Sequence, residues 1–192
     1  GGANEEAGAD ETIKTLVLTG TGKAFCTGGD LVGHPSFEKE DPGAVLRKQY
    51  VWEGNHLPVV LQKMEKPVIA AVNGIAAGAG TDLALACDIR MVSDQAKFTE
   101  IFVRAGLMND MGGSWTLPRI VGLGKALELI LTGDTIDAQE ALRIGLANHV
   151  IPHEELMPKT MELANRFAKG PTQAYKMIKW SIYRALNIDL EA

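Results

Sequence analysis

The chain has 192 residues, of which 46% are hydrophobic and 22% charged, and a formal net charge of -5. These proportions are typical of one soluble globular domain with a sizeable core, and they exclude a disordered or fibrous chain. The charges are not gathered into acidic or basic blocks, which excludes a surface built electrostatically for nucleic acid. We therefore expect a small-molecule partner and no nucleic acid.

The cysteine usage and the hydropathy pattern indicate the compartment. Cys26 and Cys87 lie far apart beside apolar neighbours, so we expect two buried free thiols in a reducing environment and no disulfide. No apolar run approaches the ~20 residues of a membrane span, and the first residues lack the pattern of a signal peptide. The sequence predicts a cytoplasmic protein without membrane contact, or one in an organelle matrix if the source is eukaryotic.

The first third of the chain begins with a small, acidic segment. Residues 1–12 are predicted to be a truncated or disordered N-terminal segment. The run "IKTLVLTG" (13–20) is β-branched and apolar, which is typical of a buried parallel strand. Apolar residues then recur at mostly helical spacing over 44–66, which predicts a long amphipathic helix.

The middle of the chain alternates strands and a helix. "KPVIAAVNG" (66–74) reads as a second buried strand, "AGAGTDLALACD" (77–88) as a short helix packed by small residues, and "IRMVSD" (89–94) as a third strand. Apart from a strand-like piece at 148–152, the remainder is predicted to be helical, with glycines at the stops. The predicted helices cover 113–121, 124–132, 137–144, 153–169 and 171–187. Early alternation followed by helices indicates an α/β sheet layer and then a helical region.

Several familiar motifs fail on their spacing. "LTGTGKAF" is not a phosphate loop, because Val17 stands at the required first glycine and Ala24 at the magnesium-binding Ser or Thr. "GAGTDL" is not a dinucleotide fingerprint, because Leu83 occupies the last glycine position. "GGSWT" departs from a nucleophile elbow at Thr116, so Ser114 is interpreted as an ordinary residue at a helix start.

A metal site is not predicted. His149 and His153 have i,i+4 spacing, but Pro152 and two β-branched residues lie between them, so they would not share a helix face. We interpret both as solvated loop histidines.

Two strand-to-loop junctions remain, "GKAFCTGGDL" (22–31) and "NGIAAGAGTD" (73–82). Each places small residues just past a strand, where backbone N–H groups can approach a ligand closely. The second runs into a helix N-terminus, which favours negative charge. Two such donors converging from separate loops would form an oxyanion hole, whereas the plainer alternative is that the glycines only make turns.

Four stretches resemble the crotonase (enoyl-CoA hydratase/isomerase) family in order and spacing. They are "GKAFCTGGDL", "KPVIAAVNGIAAGAGTDLALACDIRMVSDQAKF", "GGSWTLPRIVG" and "ALELILTGDTIDAQEALRIGLANHVI". The resemblance covers Ile13 to about Ile151. It implies a crotonase-like (ClpP/crotonase) α/β spiral of ββα units over 13–150, followed by a helical region over 151–192 that is expected to serve oligomerisation and to be truncated.

The resemblance also implies a chemistry. Family members hold an acyl-CoA thioester with its carbonyl oxygen between two backbone N–H groups, which in this sequence match Cys26 and Ala79. Coenzyme A is then part of the substrate, no other cofactor is implied, and a homotrimer or homohexamer is expected. Substrate-binding positions by the same match are Lys23, Ala24, Gly28, Asp30, Leu31, Gly78, Phe102, Met108 and Trp115. The plainer alternatives are that Asp30 fixes its loop by hydrogen bonds and that the apolar members are core.

The acidic positions depart from the hydratase pattern. Hydratases of the family use two glutamates, of which the first matches Asp82 and the second falls on Phe102. Water addition by two carboxylates is therefore disfavoured. Glu100 lies two positions away, and in an extended stretch it would face the same side as Phe102, so a shifted register remains an alternative. Asp82 also lies in the first turn of a predicted helix, where the dipole stabilises an acid whatever its role.

Asp110, in "GLMNDMGGSW", matches the acidic residue of the family's isomerases and most closely the ring-epoxyphenylacetyl-CoA isomerase type. One carboxylate suffices to move a proton between two carbons of an acyl chain. Desolvation by Met108, Met111 and Trp115 would raise the pKa of Asp110 toward a useful value. The alternative is a helix cap, and the two roles are compatible.

The resemblance therefore predicts an enoyl-CoA or ring-acyl-CoA isomerase that shifts a double bond, with Asp110 and Asp82 as catalytic residues. The alternatives are a 2-enoyl-CoA hydratase using Asp82 with Glu100 or Asp110, and a non-catalytic acyl-CoA- or RNA-binding protein of the same fold. The absence of a basic stripe argues against RNA.

Overall fold

The computed structural model describes residues 2–28, 56–109 and 111–189. The helices are α1 (Gly2–Ala9), α2 (His56–Lys63), α3 (Ala79–Ala86), α4 (Gly113–Val121), α5 (Leu123–Thr132), α6 (Ala138–Arg143), α7 (Leu156–Ala168) and α8 (Thr172–Ala185). The strands are β1 (Leu16–Thr19), β2 (Ala24–Cys26), β3 (Val68–Val72), β4 (Ile75–Ala77), β5 (Ile89–Ser93), β6 (Lys97–Thr99), β7 (Thr135–Asp137) and β8 (His149–Ile151). Among the described residues, short 3-10 helices span Ile101–Ala105 and His153–Glu155.

The described strands form two sheets. The first has the order β1-β3-β5-β8 and is parallel throughout. The second has the order β2-β4-β6-β7, in which β7 runs antiparallel to β6. Strands β1, β3 and β5 of the first sheet are each followed along the chain by a strand of the second sheet, namely β2, β4 and β6. Strand β4 then leads into α3. This repetition confirms the expected α/β spiral, and the helices α7 and α8 follow it.

Strand β3 fixes the centre of the molecule. Its sequence VIAAV is buried at every position. Val68, Ala70 and Val72 face one apolar cluster, while Ile69 and Ala71 face a second one covered by α7. A parallel strand covered on both faces has no polar side, which explains its uninterrupted apolar sequence.

The end of β3 holds the two glycine-rich junctions side by side. The side chain of Asn73 accepts a hydrogen bond from the Gly20 N–H (3.0 Å) and donates to the carbonyl oxygens of Gly22 (3.0 Å) and Ala24 (3.3 Å). The neighbouring Gly74 lies so close to β2 that a Cβ there would be 2.8 Å from the carbonyl carbon of Lys23. A side chain at 74 would therefore separate the junctions.

A half-buried carboxylate, Asp88, ties α8 to the end of α3. The Asp88 carboxylate accepts hydrogen bonds from the Val68 N–H (2.8 Å) and the Tyr183 hydroxyl (3.0 Å), and it forms an ion pair with Lys179 (2.8 Å). Burial lowers the pKa of Lys179 and raises that of Tyr183, because each charged form is poorly solvated there. Burial also raises the pKa of the adjacent Cys87 thiol from 9.0 to about 12.

Several local expectations are corrected. Residues 2–9 of the segment predicted to be truncated or disordered form α1, and buried Lys66 donates hydrogen bonds to the carbonyl oxygens of Ala7 and Asp10 (2.8 Å each). Strand β1 is half-buried rather than buried, because it lies at a sheet edge. Of the helix predicted over 44–66, residues 44–55 lie outside the described residues, and α2 covers part of the remainder.

The expected loop histidines are placed differently. His149 is in β8, and His153 is in a 3-10 helix with its Nδ1 3.0 Å from the hydroxyl oxygen of Ser93. Both cysteines are free thiols. Within the described residues, no group of three or more His, Cys, Asp or Glu is arranged to hold a metal ion. Across those same residues, no helix combines the length and apolar character that a membrane crossing requires.

Candidate active site

The end of β2 and the start of α3 meet in the structure. The pairing register between β2 and β4 shifts between Ala24 and Cys26, an irregularity of the kind that re-aims backbone groups. Gly80 packs so closely against the Cys26 backbone that a Cβ at 80 would lie 2.6 Å from the Cys26 carbonyl carbon and overlap its carbonyl oxygen. Gly28 also approaches, since a Cβ there would lie 3.9 Å from the Ala79 nitrogen.

This convergence brings the two predicted oxyanion donors to one place. Ala79 is the first residue of α3, and the first N–H groups of a helix have no partner within it. Cys26 ends β2 and lies half-buried beside Gly80. The helix N-terminus adds a partial positive charge at the same point. The arrangement suits a carbonyl oxygen that gains negative charge during a reaction.

Gly78 makes the turn into α3 possible. Its φ of 52° and ψ of -119° lie in a region that residues with a Cβ rarely adopt. Its N–H donates to the carbonyl oxygen of Thr99 at the end of β6 (2.9 Å). A Cβ at Gly78 would lie 3.4 Å from both Ile101 and Phe102, so these side chains pack directly beside the oxyanion turn.

Asp82 lies one turn into α3, with no exposed surface. Its carboxylate is held against the start of α4, where a Cβ on Gly113 would lie 2.6 Å from the Asp82 Cγ and 2.8 Å from Oδ2. The N-terminus of α4 favours an anion at this point. The structure therefore places a buried carboxylate between α3 and α4, near the oxyanion turn.

Glu100 is the second buried carboxylate of this region, with 2% of its surface exposed. Its Oε2 accepts a hydrogen bond from the side-chain amide of Asn109 (2.6 Å), which is itself 5% exposed. The extended stretch assumed for residues 100–102 is wrong, because Phe102 lies in the 3-10 helix that follows β6. Phe102 is buried at 9% exposure.

Asp110 lies outside the described residues, but its neighbours do not. Asn109 is bound to Glu100, and Met111 and Gly112 lead into α4 beside Asp82. Met108, which is expected to shield this acid, is 77% exposed. Met111 is half-buried.

The remaining predicted residues are distributed around this region. Trp115 is half-buried in α4 and stacks on Arg119, whose guanidinium carbon lies 4.2 Å from the ring centroid. Lys23 is exposed before β2, and Ala24 is half-buried within it. Asp30 and Leu31 lie outside the described residues. Ser114 is in the first turn of α4, as predicted.

Sequence reasoning missed the bond between Glu100 and Asn109. Nine residues separate the two partners. No spacing rule links an acid at a strand end to an amide nine residues later, so the pattern gave no signal for this contact. The pattern of small residues around Gly80 likewise gives no signal for the close approaches made at Gly80 and at Gly113.

Comparisons with known proteins identify the family to which the chain is similar. A family model described as enoyl-CoA hydratase/isomerase matches residues 3–192. The chain is 38% identical to a short-chain-enoyl-CoA hydratase of Clostridium acetobutylicum, over 95% of this chain and 68% of that protein. It is 40% identical to a 1,2-epoxyphenylacetyl-CoA isomerase of Escherichia coli, over 92% of this chain and 67% of that protein. The crystal structure of an enoyl-CoA hydratase from Bacillus anthracis matches with a TM-score of 0.90 and 34% identity, covering 99% of this chain and 72% of that one.

Proposed function

Because the chain belongs to the crotonase (enoyl-CoA hydratase/isomerase) family, we propose that it is an acyl-CoA isomerase that shifts a double bond with a single carboxylate, Asp110. The substrate is an enoyl-CoA or a ring-acyl-CoA, and coenzyme A is part of it. No further cofactor takes part in the proposed reaction.

The observation that carries the proposal is the close packing of Gly80 on Cys26. It supports a thioester oxygen bound by the N–H groups of Cys26 and Ala79 at the start of α3. Such donors stabilise the anion that forms when a proton leaves the carbon next to the carbonyl. A typical loss on removing one donor is about 10²- to 10³-fold in kcat.

The packing of Phe102 supports a single acid rather than a pair. An apolar ring, buried beside Gly78, occupies the position where the family's hydratases carry their second glutamate. Water has no carboxylate to activate it at that position. This favours proton transfer within the substrate over the addition of water.

The proposed steps balance without any other reactant. Asp110 removes a proton from C2 of a 3-enoyl-CoA, and the electron pair spreads over C2, C3, C4 and the thioester oxygen. The protonated Asp110 then returns the proton to C4, which leaves a double bond between C2 and C3. Asp82, buried against α4, is proposed to polarise the site or hold a water.

Hydration of a 2-enoyl-CoA is the second candidate, and one observation favours it. Asp82 and Glu100 are both buried acids near the oxyanion turn. In that reaction one acid would activate water for attack at C3 while another delivers a proton to C2. A non-catalytic acyl-CoA-binding or RNA-binding protein is the third, and it predicts no turnover at all.

Assembly and location belong to the same proposal. We propose a homotrimer or homohexamer in the cytoplasm. Leu123, Leu127 and Leu131 give α5 an exposed apolar stripe at i, i+4 and i+8, which would suit contact with another copy. Sedimentation analysis of the full chain measures the oligomer directly.

Two substrates separate the three candidates. Wild-type protein is incubated in turn with a 3-enoyl-CoA and a 2-enoyl-CoA, and the absorbance of the conjugated thioester is followed. Conjugation that appears from the first supports the isomerase, and conjugation lost from the second supports the hydratase. If neither changes while CoA thioester binds tightly, both enzymatic proposals fail.

A further inference from the structure

A groove of about 730 Å³ lies between strand β8 and helix α7. Among the described strands, β8 is at the edge of the first sheet and pairs on one side only, with β5. Leu142, Val150 and Leu163 contribute apolar walls, and Leu142 is 41% exposed. Sheet edges and exposed apolar surface are features that proteins commonly cover with another segment or another chain. The groove therefore has the character of a contact surface.

Helix α7 borders this groove with charges of alternating sign, which we call the charge row. The row consists of four exposed residues, Glu155, Lys159, Glu162 and Arg166. At about 3.6 residues per turn these positions lie within about 60° of one another around the helix, and the row is about 16 Å long. Glu155 directly precedes α7 in a helical conformation, so it continues the row.

The charge row is complementary to a second copy of itself in one orientation. When two α7 helices run antiparallel about a two-fold axis, Glu155 faces Arg166 of the second copy. Lys159 then faces Glu162 of the second copy, because both pairings place the axis midway between residues 160 and 161. Parallel helices in register would instead bring like charges together. Such reciprocal pairing is the property that a two-fold interface requires.

Within one copy, these charges are only weakly engaged. Lys159 and Glu162 are 3.7 Å apart, with side chains 53% and 75% exposed. The guanidinium carbon of Arg166 lies 5.9 Å from the ring centroid of Phe167. Exposed ion pairs add little stability, so little is lost when the charges turn to a second copy. The apolar walls that become covered then provide most of the attraction, and the charges select the orientation.

We propose that the groove between β8 and α7 is a two-fold interface that binds α7 of a second copy of this chain, with the two helices antiparallel. The interface does not depend on the proposed reaction. It is also separate from the contact proposed for the leucines of α5. By itself it forms a dimer, and where the proposed homotrimer forms it joins two such rings.

Charge reversals in the row test the pairing. Lys159→Glu and Glu162→Lys each bring like charges together, whereas the double variant restores opposite charges in exchanged positions. In sedimentation equilibrium of the full chain, each single reversal should raise the Kd of the two-fold contact by about 10- to 100-fold, and the double variant should stay within about 3-fold of the wild type. Lys97→Glu is the matched control, because it makes the same charge change at an exposed position in β6.

Cysteines at the ends of the row test the orientation. In the antiparallel arrangement, position 155 of one copy lies beside position 166 of the other. Two copies of position 155 are about 16 Å apart along the helix axes, which is too far for a disulfide. An equimolar mixture of Glu155→Cys and Arg166→Cys should therefore form a covalent dimer on oxidation, and either variant alone should not. The wild type, with its free Cys26 and Cys87, is the blank.

The outcomes that overturn the interface are distinct from those that contradict the proposed function. Unchanged association in both single reversals overturns it, and so does a double variant that associates no better than the single ones. Covalent dimers from Glu155→Cys alone, or none from the mixture, overturn the antiparallel orientation. Absence of isomerase activity in the wild-type protein, by contrast, contradicts only the proposed function.

Discussion

Replacing Gly80 by alanine should separate the two proposed oxyanion donors. The new Cβ would lie 2.6 Å from the carbonyl carbon of Cys26, whereas ordinary carbon contacts are about 3.5–4.0 Å apart. The end of β2 and the start of α3 must therefore move apart by about 1 Å. The two nearest neighbours are backbone atoms of Cys26 and the third is its Cβ, so no flexible side-chain end can absorb the change.

A displacement of this size is large compared with what a bound oxyanion tolerates. Losing one donor typically lowers kcat by about 10²- to 10³-fold, equivalent to about 2.7–4 kcal/mol of transition-state stabilisation. The overpacking also lowers the free energy of unfolding by about 1–3 kcal/mol. We expect Gly80→Ala to fold but to turn over acyl-CoA at least about 100-fold more slowly than the wild type.

Gly124→Ala is the matched control, because it makes the same substitution within a helix. A Cβ at Gly124 meets nothing within 4 Å, so kcat should not change and stability should rise by about 0.5–1 kcal/mol. Initial rates and urea titrations of the two variants give both numbers. If folded Gly80→Ala keeps its kcat within about 3-fold of the wild type, Cys26 and Ala79 do not form the oxyanion hole.

Two further predictions concern stability. Burial raises the pKa of the Cys87 thiol from 9.0 to about 12, so this thiol ionises at lower pH in the unfolded chain than in the folded one. The contribution of Cys87 to the free energy of unfolding is therefore fully present below about pH 9 and is lost as the pH rises toward 12. Urea titrations at several pH values give the free energy of unfolding as a function of pH. Above pH 9 this free energy should fall with pH less steeply in Cys87→Ser than in the wild type, by about 1.4 kcal/mol per pH unit, and equal pH dependences would contradict the burial argument. Asp88→Asn should lower the free energy of unfolding by about 3 kcal/mol, because it leaves Lys179 buried without its carboxylate. The control is Glu128→Gln, which removes the exposed carboxylate of the ion pair with Lys125. Its free energy of unfolding should fall by less than about 1 kcal/mol in the same titration, and a similar loss in both variants would refute the reasoning.

The two sheets differ in how much of them the sequence predicts. Strand β3 is a run of five apolar residues, which marks a sheet covered on both faces, and β5 is equally long, with Ile89, Met91 and Val92 as its apolar residues. The strands β2, β4, β6 and β7 have three residues each, which is too short for an alternation to be read. Their pairing depends on β1, β3 and β5 being placed first, and such long-range order leaves no local signal.

The candidate site is likewise predicted from the sequence only in part. Small residues after two strands predict backbone donors, and the structure brings Cys26 and the start of α3 together through Gly80. The contact between Glu100 and Asn109 depends instead on the 3-10 helix and the left-handed Gly106 between them. The interpretation of residues 100–102 as extended failed for this reason, since it took the strand period past the point where β6 ends.

The central claim is that one carboxylate, at Asp110, moves the proton. The measurement that tests it most directly is the rate at which Asp110→Asn converts a 3-enoyl-CoA to the conjugated 2-enoyl-CoA, together with its affinity for a CoA thioester. Removal of a general acid or base typically lowers the rate by about 10²- to 10⁴-fold, and the account predicts a loss in this range with binding unchanged. Isomerisation by Asp110→Asn at close to the wild-type rate would contradict it.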